Sequence, residues 1–586
     1  MAAPLEEWSI DTEWGYHGSR VGWESQWEPV VLCLVGLRSG RRLSFWGPDV
    51  RLRDFFREHR DDLFLAHHAP AEMKYLIRQG VDLPPRWFDT MAGWRHATNR
   101  PRKGGDLGCG LVACLHALGL PRLAPEVKKE LRDDILHLRF DRDCPATRRR
   151  ITDYCFSDCD GAAALYRHLK ARVPPAWMNS FVQYLQAVSR LELRGIPLDL
   201  ATYDRLQGSA ADLLDLLRKE INATWPVYDG EVFKRKVFLT WCQAVRIGWP
   251  TRRSPATGKY YLPVDADTLK DMEGRHPFIK RLREVLKTHK HLGKRSIVID
   301  RGTGRHYFDT FPLGSVTGRN QPRGFLFGGP KWQRWLMVPE SPDHVLVYVD
   351  YVAQEIGVAA ALSGDPALRA AYEEADCHMS FAIRAGAAPA NAVKKTHPEV
   401  RKQYKRIGLG IQYGQTAFGV AHRLGLSYRK AAQIVAEHKR LFPVFWRWSD
   451  RTVQAAYDTG RIATPCGWRS RVPPWSNERT WLNWMQQSVG GDIMRATVTY
   501  LDRQNVRILA PVHDGFLLSC RRDQLIDLRA AVDFACRHAV EHSLPGFPMR
   551  WEMQTFETRY EDEDGAELWH HLLSLLERGT HASATG

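Results

Sequence analysis

Arg401-Lys402-Gln403-Tyr404-Lys405-Arg406-Ile407-Gly408-Leu409-Gly410-Ile411-Gln412-Tyr413-Gly414 carries its chemistry at every fourth position. Stepping from Arg401 reaches Lys405, Leu409 and Tyr413, which share one slowly drifting stripe on a helix of ~3.6 residues per turn. Two cations, an apolar surface and a phenol on one face could grip a triphosphate at one end and lay a sugar and base over the other. An ordinary amphipathic helix would make the glycines at 408 and 410 odd choices. Upstream, Val345-Leu346-Val347-Tyr348-Val349-Asp350-Tyr351 reads as an apolar strand ending in a carboxylate, with Glu355 following. Downstream, Pro511-Val512-His513-Asp514-Gly515-Phe516-Leu517-Leu518 is an apolar run broken by a polar turn and resumed. Asp-Gly between strands is also a plain hairpin signal, so Asp514 alone is as well read as a turn residue.

Working outward, strand-like segments at His344–Val349, Val506–Val512 and Gly515–Ser519 flank helical stretches between about 366 and 456, which predicts a sheet with a helical insertion. From the Pro174-Pro175 pair to about 310 the chain reads as mostly helical and basic, with Lys280, Arg281, Arg283, Lys287, Lys290, Lys294 and Arg295 close together. A solvated helix face explains such a run as often as a nucleic-acid contact does. Before it, strand-like runs (Val30–Leu37, Leu63–His67) alternate with helical ones such as Asp160–Val173, the pattern of an α/β domain. Within that domain Ile10-Asp11-Thr12-Glu13 sets two carboxylates on one face of a strand, where they can hold a divalent metal. The segment Leu65-Ala66-His67-His68-Ala69-Pro70-Ala71-Glu72, and Tyr154-Cys155-Phe156-Ser157-Asp158 at the expected start of a helix, add two further carboxylates and a phenol.

The bulk numbers fit such an assembly. At 586 residues and 67.2 kDa the chain is too long for one core, and roughly three to four units are expected. Hydrophobic residues at 44% and charged residues at 26% exclude a disordered or fibrous protein. The 83 basic and 67 acidic residues leave a net charge of +16, a surplus that suits a polyanionic partner such as nucleic acid or an anionic membrane. No apolar run approaches the ~18 residues of a membrane span, and the first ten residues lack the pattern of a signal peptide. Eleven cysteines without CxxC spacing indicate neither a zinc ribbon nor a disulfide framework, so a cytoplasmic setting is expected. Thr580–Gly586 is expected to be a frayed end.

In order and spacing, three of these segments resemble the motifs of family A DNA polymerases: Asp350-Tyr351-Val352-Ala353-Gln354-Glu355, Arg401 to Gly414 as R-x3-K-x7-YG, and Val512-His513-Asp514. Thr317-Gly318-Arg319, Asp376-Cys377-His378, Gly460 to Pro473, and Arg479 with Asn483 and Gln487 match lesser motifs. The order Asp11-x-Glu13, an acid near 70, then Tyr154-x3-Asp158 resembles a DEDD-type 3′–5′ exonuclease domain with a tyrosine in its last motif. The implied fold is α/β and multi-domain. An RNase H-like exonuclease domain (1–172) precedes a right-hand polymerase domain (173–586) with an antiparallel palm sheet. Within the latter, thumb is expected at about 173–310, palm at about 311–365 and 473–586, and fingers at about 366–472. No 5′-nuclease domain is expected, an arrangement similar to phage-encoded replicases.

The resemblance implies two Mg²⁺ ions at Asp350 and Asp514, and two more at Asp11, Glu13, Glu72 and Asp158, with Mn²⁺ as a substitute. Tyr154 would orient the attacking water. Arg401 and Lys405, assisted by His378, would meet the phosphates of a dNTP, whose base and sugar lie against Leu409 and Tyr413. Glu355 would exclude a ribose 2′-hydroxyl. Arg319, Arg479, Asn483, Gln487 and His513 would contact primer-template DNA, and the basic segment at 280–295 would grip duplex phosphates. The expected partners are DNA and dNTPs, with no membrane, for a monomer in the cytoplasm of a bacterial host. Four departures stand out: Leu409 in place of an aromatic, Gly515 in place of Glu, Gly357 in place of Arg, with Gln354 shifted by one, and His68 with Glu72 where Asn and Asp are usual. A single-subunit RNA polymerase is the rival enzyme, which Glu355 and the N-terminal motifs oppose. A DNA-binding scaffold with degraded sites is the other, which the retained palm aspartates oppose.

Overall fold

A computed structural model describes residues 5–16, 27–100, 108–121, 125–254, 257–292, 297–374 and 376–584. The N-terminal domain is built on a mixed sheet of β1 (Glu7–Tyr16), β2 (Trp27–Gly36), β3 (Arg42–Trp46), β4 (Leu63–Ala66) and β5 (Trp87–Asp89). Its order is β3-β2-β1-β4-β5; β1 to β3 are antiparallel, while β4 and β5 run parallel to β1. Residues 30–36 of β2 are buried without alternation because both faces of the sheet are covered. Leu32 and Leu34 join the main core, whereas Val31, Cys33 and Val35 pack with Ile151, Tyr154 and Cys155 on the opposite side. The helices that matter here are α1 (Pro70–Arg78), α2 (Pro125–Leu136) and α3 (Pro145–Leu169). The expected start of α3 at Tyr154 is corrected: the helix begins nine residues earlier, with Pro145 in its first turn, where a proline's missing N–H costs nothing.

At the Pro174-Pro175 pair the chain passes straight into α4 (Pro175–Arg194), which packs against both halves of the molecule. Trp177 stacks on Phe181 at 5.1 Å and lies 6.0 Å from Trp468 of the C-terminal half. Lys74 of α1 donates to Glu192 of α4 at 2.9 Å, and the other Glu192 oxygen accepts from the Thr310 backbone N–H at 2.7 Å. The basic run falls on α5 (Pro277–His291). Arg281 pairs with Glu220 and Arg283 with Glu273, so the reading of this run as an open cationic grip is narrowed to the remaining lysines. Lys294 and Arg295 lie outside the described residues.

The sheet of the C-terminal half begins with β6 (His344–Tyr351). It turns sharply through Ala353, whose φ of 47° is left-handed, into α6 (Gln354–Ser363). The helical insertion follows, including α7 (Cys377–Arg384) and α8 (Pro398–Gln412). After it come α9 (Glu478–Arg503), β7 (Arg507–Val512), β8 (Gly515–Arg521), α10 (Leu525–Ser543) and β9 (Trp551–Phe556). The four strands are antiparallel in the order β7-β8-β6-β9, the palm-type sheet anticipated from the sequence. The expected fray at Thr580 is corrected, since the last helix runs from Glu563 to Ala584. No helix among the described residues is long and apolar enough to cross a membrane.

Candidate active sites

In the palm, β6 and β8 pair with Asp350 opposite Gly515. The two-residue turn His513-Asp514 then carries the second carboxylate to the same edge, and the Tyr351 N–H fixes it by donating to the Asp514 carbonyl at 3.1 Å. His513 holds a φ of 52°, a strained value for a non-glycine residue of the kind found at functional turns. Burial, then the Asp514 charge, pushes Asp350 up to about 7. One Asp350 oxygen is buried with no hydrogen-bond partner. A buried acceptor left open beside a second carboxylate is the donor set that a hard divalent cation takes. A third acid, Glu552 of β9, pairs directly across from Asp350. Nothing in the local pattern of β9 distinguishes Glu552, and sequence reasoning missed it.

The helical insertion presents its cations to this edge. On α8 the buried face is Tyr404, Ile407, Gly408 and Ile411. Arg401, Lys405, Leu409 and Tyr413 therefore lie on the more open side. At Gly410 the Gln415 side-chain amide occupies the space a Cβ would take, 2.0 Å away, so a larger residue would require that side chain to move. Lys405 lies near enough to Asp350 to favour its ionised form. Arg401 is ion-paired with Asp376, whose carboxylate also caps α7 through the N–H groups of His378 and Met379. His378 is buried there; burial first, then Lys405 and Arg401, pushes it down to about 4, so it is neutral at pH 7.

Glu355, in the first turn of α6, accepts from Arg319 at 3.0 Å and is pushed up, chiefly by burial. Its backbone carbonyl accepts from Gln412, and the neighbouring Tyr413 hydroxyl is buried without a partner. Arg319 also donates to the Gln487 carbonyl on α9 at 3.1 Å. Arg479, Asn483 and Gln487 form the less buried stripe of that helix. Lys405 and Gln412 of α8 thus meet Asp350 and Glu355 of the palm, and Arg319 ties Glu355 to Gln487 of α9.

Two departures have steric reasons. A Cβ at Gly357 would meet Met549 and Tyr372 at 3.0 Å. At Gly515 it would lie 2.6 Å from the Val349 carbonyl, 2.7 Å from the Tyr348 hydroxyl and 2.9 Å from Asp350. The Tyr348 phenol borders the space a residue-515 side chain would enter. Gly515→Glu is therefore expected to destabilise the fold by about 1–3 kcal/mol through overpacking. Adding Tyr348→Ala should recover part of the loss; a thermal melt of the single variant that matches the parent would contradict this packing.

In the N-terminal domain, Asp11 and Glu13 share the face of β1 that α3 covers. Ser9 donates to the Cys159 carbonyl at 2.6 Å, and the Cys155 thiol donates to the Asp11 carbonyl at 3.3 Å. This seats Asp158 so that one oxygen from each of Asp11, Glu13 and Asp158 lies within 4.8 Å of the others. Glu72, reaching in from α1, borders the same cavity of about 850 Å³ but stands outside this trio. The four-acid expectation is thus a close trio with a neighbour. Burial and then the Asp158 charge push Asp11 up to about 8, and burial with Asp11 raises both Glu13 and Glu72. One oxygen each of Asp11 and Glu72 is buried without a partner, a donor set that a divalent cation would satisfy. Tyr154, 4% exposed, borders the cavity beside Asp158, and burial raises its hydroxyl's pKa. Sequence reasoning missed Lys128 of α2, which ion-pairs with Asp158. It also missed that His67, next to the singled-out His68, anchors the segment by donating from Nε2 to the Cys109 carbonyl at 2.9 Å.

Residues 328–557 match the family model described as DNA polymerase family A. DNA polymerase I of Streptococcus pneumoniae (strain ATCC BAA-255 / R6) is 29% identical over 230 residues, covering 36% of this chain and 26% of that protein. DNA polymerase I of Rhizobium leguminosarum is 24% identical over 450 residues, covering 68% and 42%. The DNA polymerase of Mycobacterium phage D29 is 33% identical over 184 residues, covering 30% and 29%. The chain thus spans less than half the length of these curated relatives. Among solved structures, the POL domain of Pol1 from M. smegmatis, in complex with DNA primer-template and dNTP, superposes with a TM-score of 0.70 over 94% of this chain and 95% of that one. At 19% identity that likeness is one of fold. The stretch that resembles DNA polymerase family A, residues 328–557, is thus the one that holds both palm aspartates and the cationic helix α8.

Proposed function

We propose that this chain is a DNA-templated DNA polymerase that extends a primer 3′ end with dNTPs and, at its N-terminal site, removes 3′-terminal nucleotides. The observation that carries the reading is the open Asp350 oxygen beside Asp514, with Lys405 close enough to act on it, inside the family-matched segment. Asp350 and Asp514 would hold Mg²⁺ in the palm, and Asp11, Glu13 and Asp158, with Glu72 nearby, would hold it in the N-terminal cavity. Mn²⁺ is a substitute at both. Bound there, such ions activate the attacking hydroxyl or water and stabilise the leaving oxygen of an in-line phosphoryl transfer.

The remaining work belongs to the protein. Arg401 and Lys405, one helical turn apart, neutralise the β- and γ-phosphates as pyrophosphate departs. His378, held neutral, can donate a hydrogen bond to a phosphate oxygen without adding charge. Glu355, braced by Arg319 and set next to Tyr413, fills the space a ribose 2′-hydroxyl requires. Arg319, Asn483 and Gln487 reach the minor groove, where acceptors recur for all base pairs, so pair shape is tested without sequence being read. Arg479 and His513 border the same strand path. In the N-terminal site Tyr154 orients the water. The 33% identity to a phage DNA polymerase favours replication of a phage genome in the bacterial cytoplasm, by a single chain.

The test is primer extension on a recessed template, with dNTPs and rNTPs in separate arms, with Mg²⁺ and with EDTA. Extension confined to the dNTP and Mg²⁺ arm, with 3′-end loss when dNTPs are withheld, is the expected result. Extension with rNTPs would assign an RNA polymerase activity instead, and DNA binding with neither reaction would leave a scaffold.

A further inference from the structure

The N-terminal cavity holds a second helix whose cations face a carboxylate cluster. Lys128 and Arg132 lie four residues apart on α2, so they sit one above the other on one face, and both line the cavity that contains Asp11, Glu13 and Asp158. The Lys128 ammonium is ion-paired with Asp158 and sits 5.5 Å from the centre of the Tyr154 ring. Arg132 is exposed at the cavity mouth and acts on both Glu13 and Tyr154. A lysine stands beside the palm carboxylates too, where Lys405 acts on Asp350, but its i–4 neighbour Arg401 is paired with Asp376 instead. The N-terminal cavity retains unmet demand beyond Lys128. One oxygen of Asp11 and one of Glu72, itself only 4% exposed, are buried and unpartnered. A lysine alone therefore does not satisfy the cluster, and a divalent ion that did so would compete with Lys128 for Asp158.

We infer that Lys128 and Arg132 are the phosphate-binding pair of this site, receiving the phosphodiester at the 3′ end of a single DNA strand, and that Lys128 serves as counter-ion to Asp158 until metal displaces it. The inference rests on the exonuclease reading and names the side chains that would hold its substrate. An ammonium on a flexible stem suits the exchange between a carboxylate and a phosphate, since its three donors are not tied to one planar geometry. The two roles have opposite consequences when the charge is removed. Metal should bind more tightly, because its competitor is gone, and DNA should bind more weakly, because its partner is gone. A residue that merely props α2 against β1 would weaken both.

The experiment compares the full chain with Lys128→Met, Arg132→Met and Lys128→Arg. Mn²⁺ binding is followed by electron paramagnetic resonance, and degradation of a single-stranded oligonucleotide is measured across a range of salt concentrations. Primer extension serves as the control for folding. Lys128→Met is expected to tighten Mn²⁺ binding at the N-terminal site several-fold and to raise KM for the oligonucleotide about tenfold. Arg132→Met should raise KM alone, and Lys128→Arg should restore most of it. Each removed cation should reduce the slope of log affinity against log salt by about 0.7, the value for one single-strand phosphate contact. Unchanged or weaker Mn²⁺ binding in Lys128→Met, or an unchanged salt slope in both methionine variants, overturns the inference while wild-type degradation still stands. Absence of degradation by the wild-type chain overturns the exonuclease reading itself, whatever the Mn²⁺ result.

Discussion

Asp514→Asn is expected to lower primer extension by on the order of 10³-fold or more, about 4 kcal/mol of transition-state stabilisation, with 3′-end degradation retained. The size follows from the palm edge. Asp350 is already pushed up to about 7 by burial and by its aspartate neighbour, so its charged form is costly without a cation beside it. A divalent cation between them removes that repulsion, and an amide at 514 supplies an oxygen without the charge. Lys405 cannot take over, because an ammonium has donors only and offers no ligand to a metal. Single-turnover extension at saturating dNTP is the right measurement, since product release then does not mask the chemical step. Activity within tenfold of wild type would mean that Asp514 is the simple hairpin residue its Asp-Gly context also permits. The retained degradation matters equally, as it separates a lost site from a lost fold.

The C-terminal half was legible because its motifs sit on regular elements. A stripe of Arg401, Lys405, Leu409 and Tyr413 is fixed by helical period alone, and Asp350 and Asp514 are fixed by strand ends that pair in register. Even the glycines were readable as departures, although their reason was not. The obstacles at Gly515 are Tyr348, Val349 and Asp350 of the neighbouring strand, those at Gly357 are Met549 and Tyr372, and all five lie on other segments of the chain. Residues missed by the sequence reading share that trait. Lys128 meets Asp158 across thirty residues of chain, and Glu552 meets Asp350 across two hundred, so no local spacing encodes either contact. The start of α3 was misplaced for a different reason. Pro145-Ala146-Thr147-Arg148-Arg149-Arg150 has no apolar stripe, and only the first-turn proline marks it.

The basic segment on α5 shows the limit of counting charge. Arg281 and Arg283 are held by acids of the same half, and Lys287 is half-buried, pushed down to about 8 by burial and then by Arg283. A net charge of +16 therefore overstates the cations this helix can offer to a phosphate backbone. The clearer electropositive features are Lys128 with Arg132 beside the N-terminal acids and Lys405 beside Asp350, small in charge and large in local effect.

Asp11→Asn is expected to abolish 3′-end degradation, by on the order of 10³-fold, and at the same time to stabilise the metal-free chain at alkaline pH. The second effect has a definite sign. Asp11 is pushed up to about 8 in the folded chain, whereas in the unfolded chain it ionises in the ordinary carboxylate range. Below that range both states hold the proton, and stability does not depend on this group. Between that range and about pH 8 the folded chain keeps a proton that the unfolded chain has lost. Stability therefore falls as pH rises, by up to about 1.4 kcal/mol per pH unit for one group, and levels off above pH 8. Asn carries no such proton, so the variant's melting temperature should be flatter from pH 5 to 8 and higher than the parent's at pH 8.5 in EDTA. Adding Mg²⁺ should raise the parent's melting temperature most at high pH, where the carboxylates are ionised and ready to bind, and raise the variant's less. Parallel melting curves against pH for parent and variant would place Asp11 in ordinary solvent contact and remove the physical basis for a metal site there.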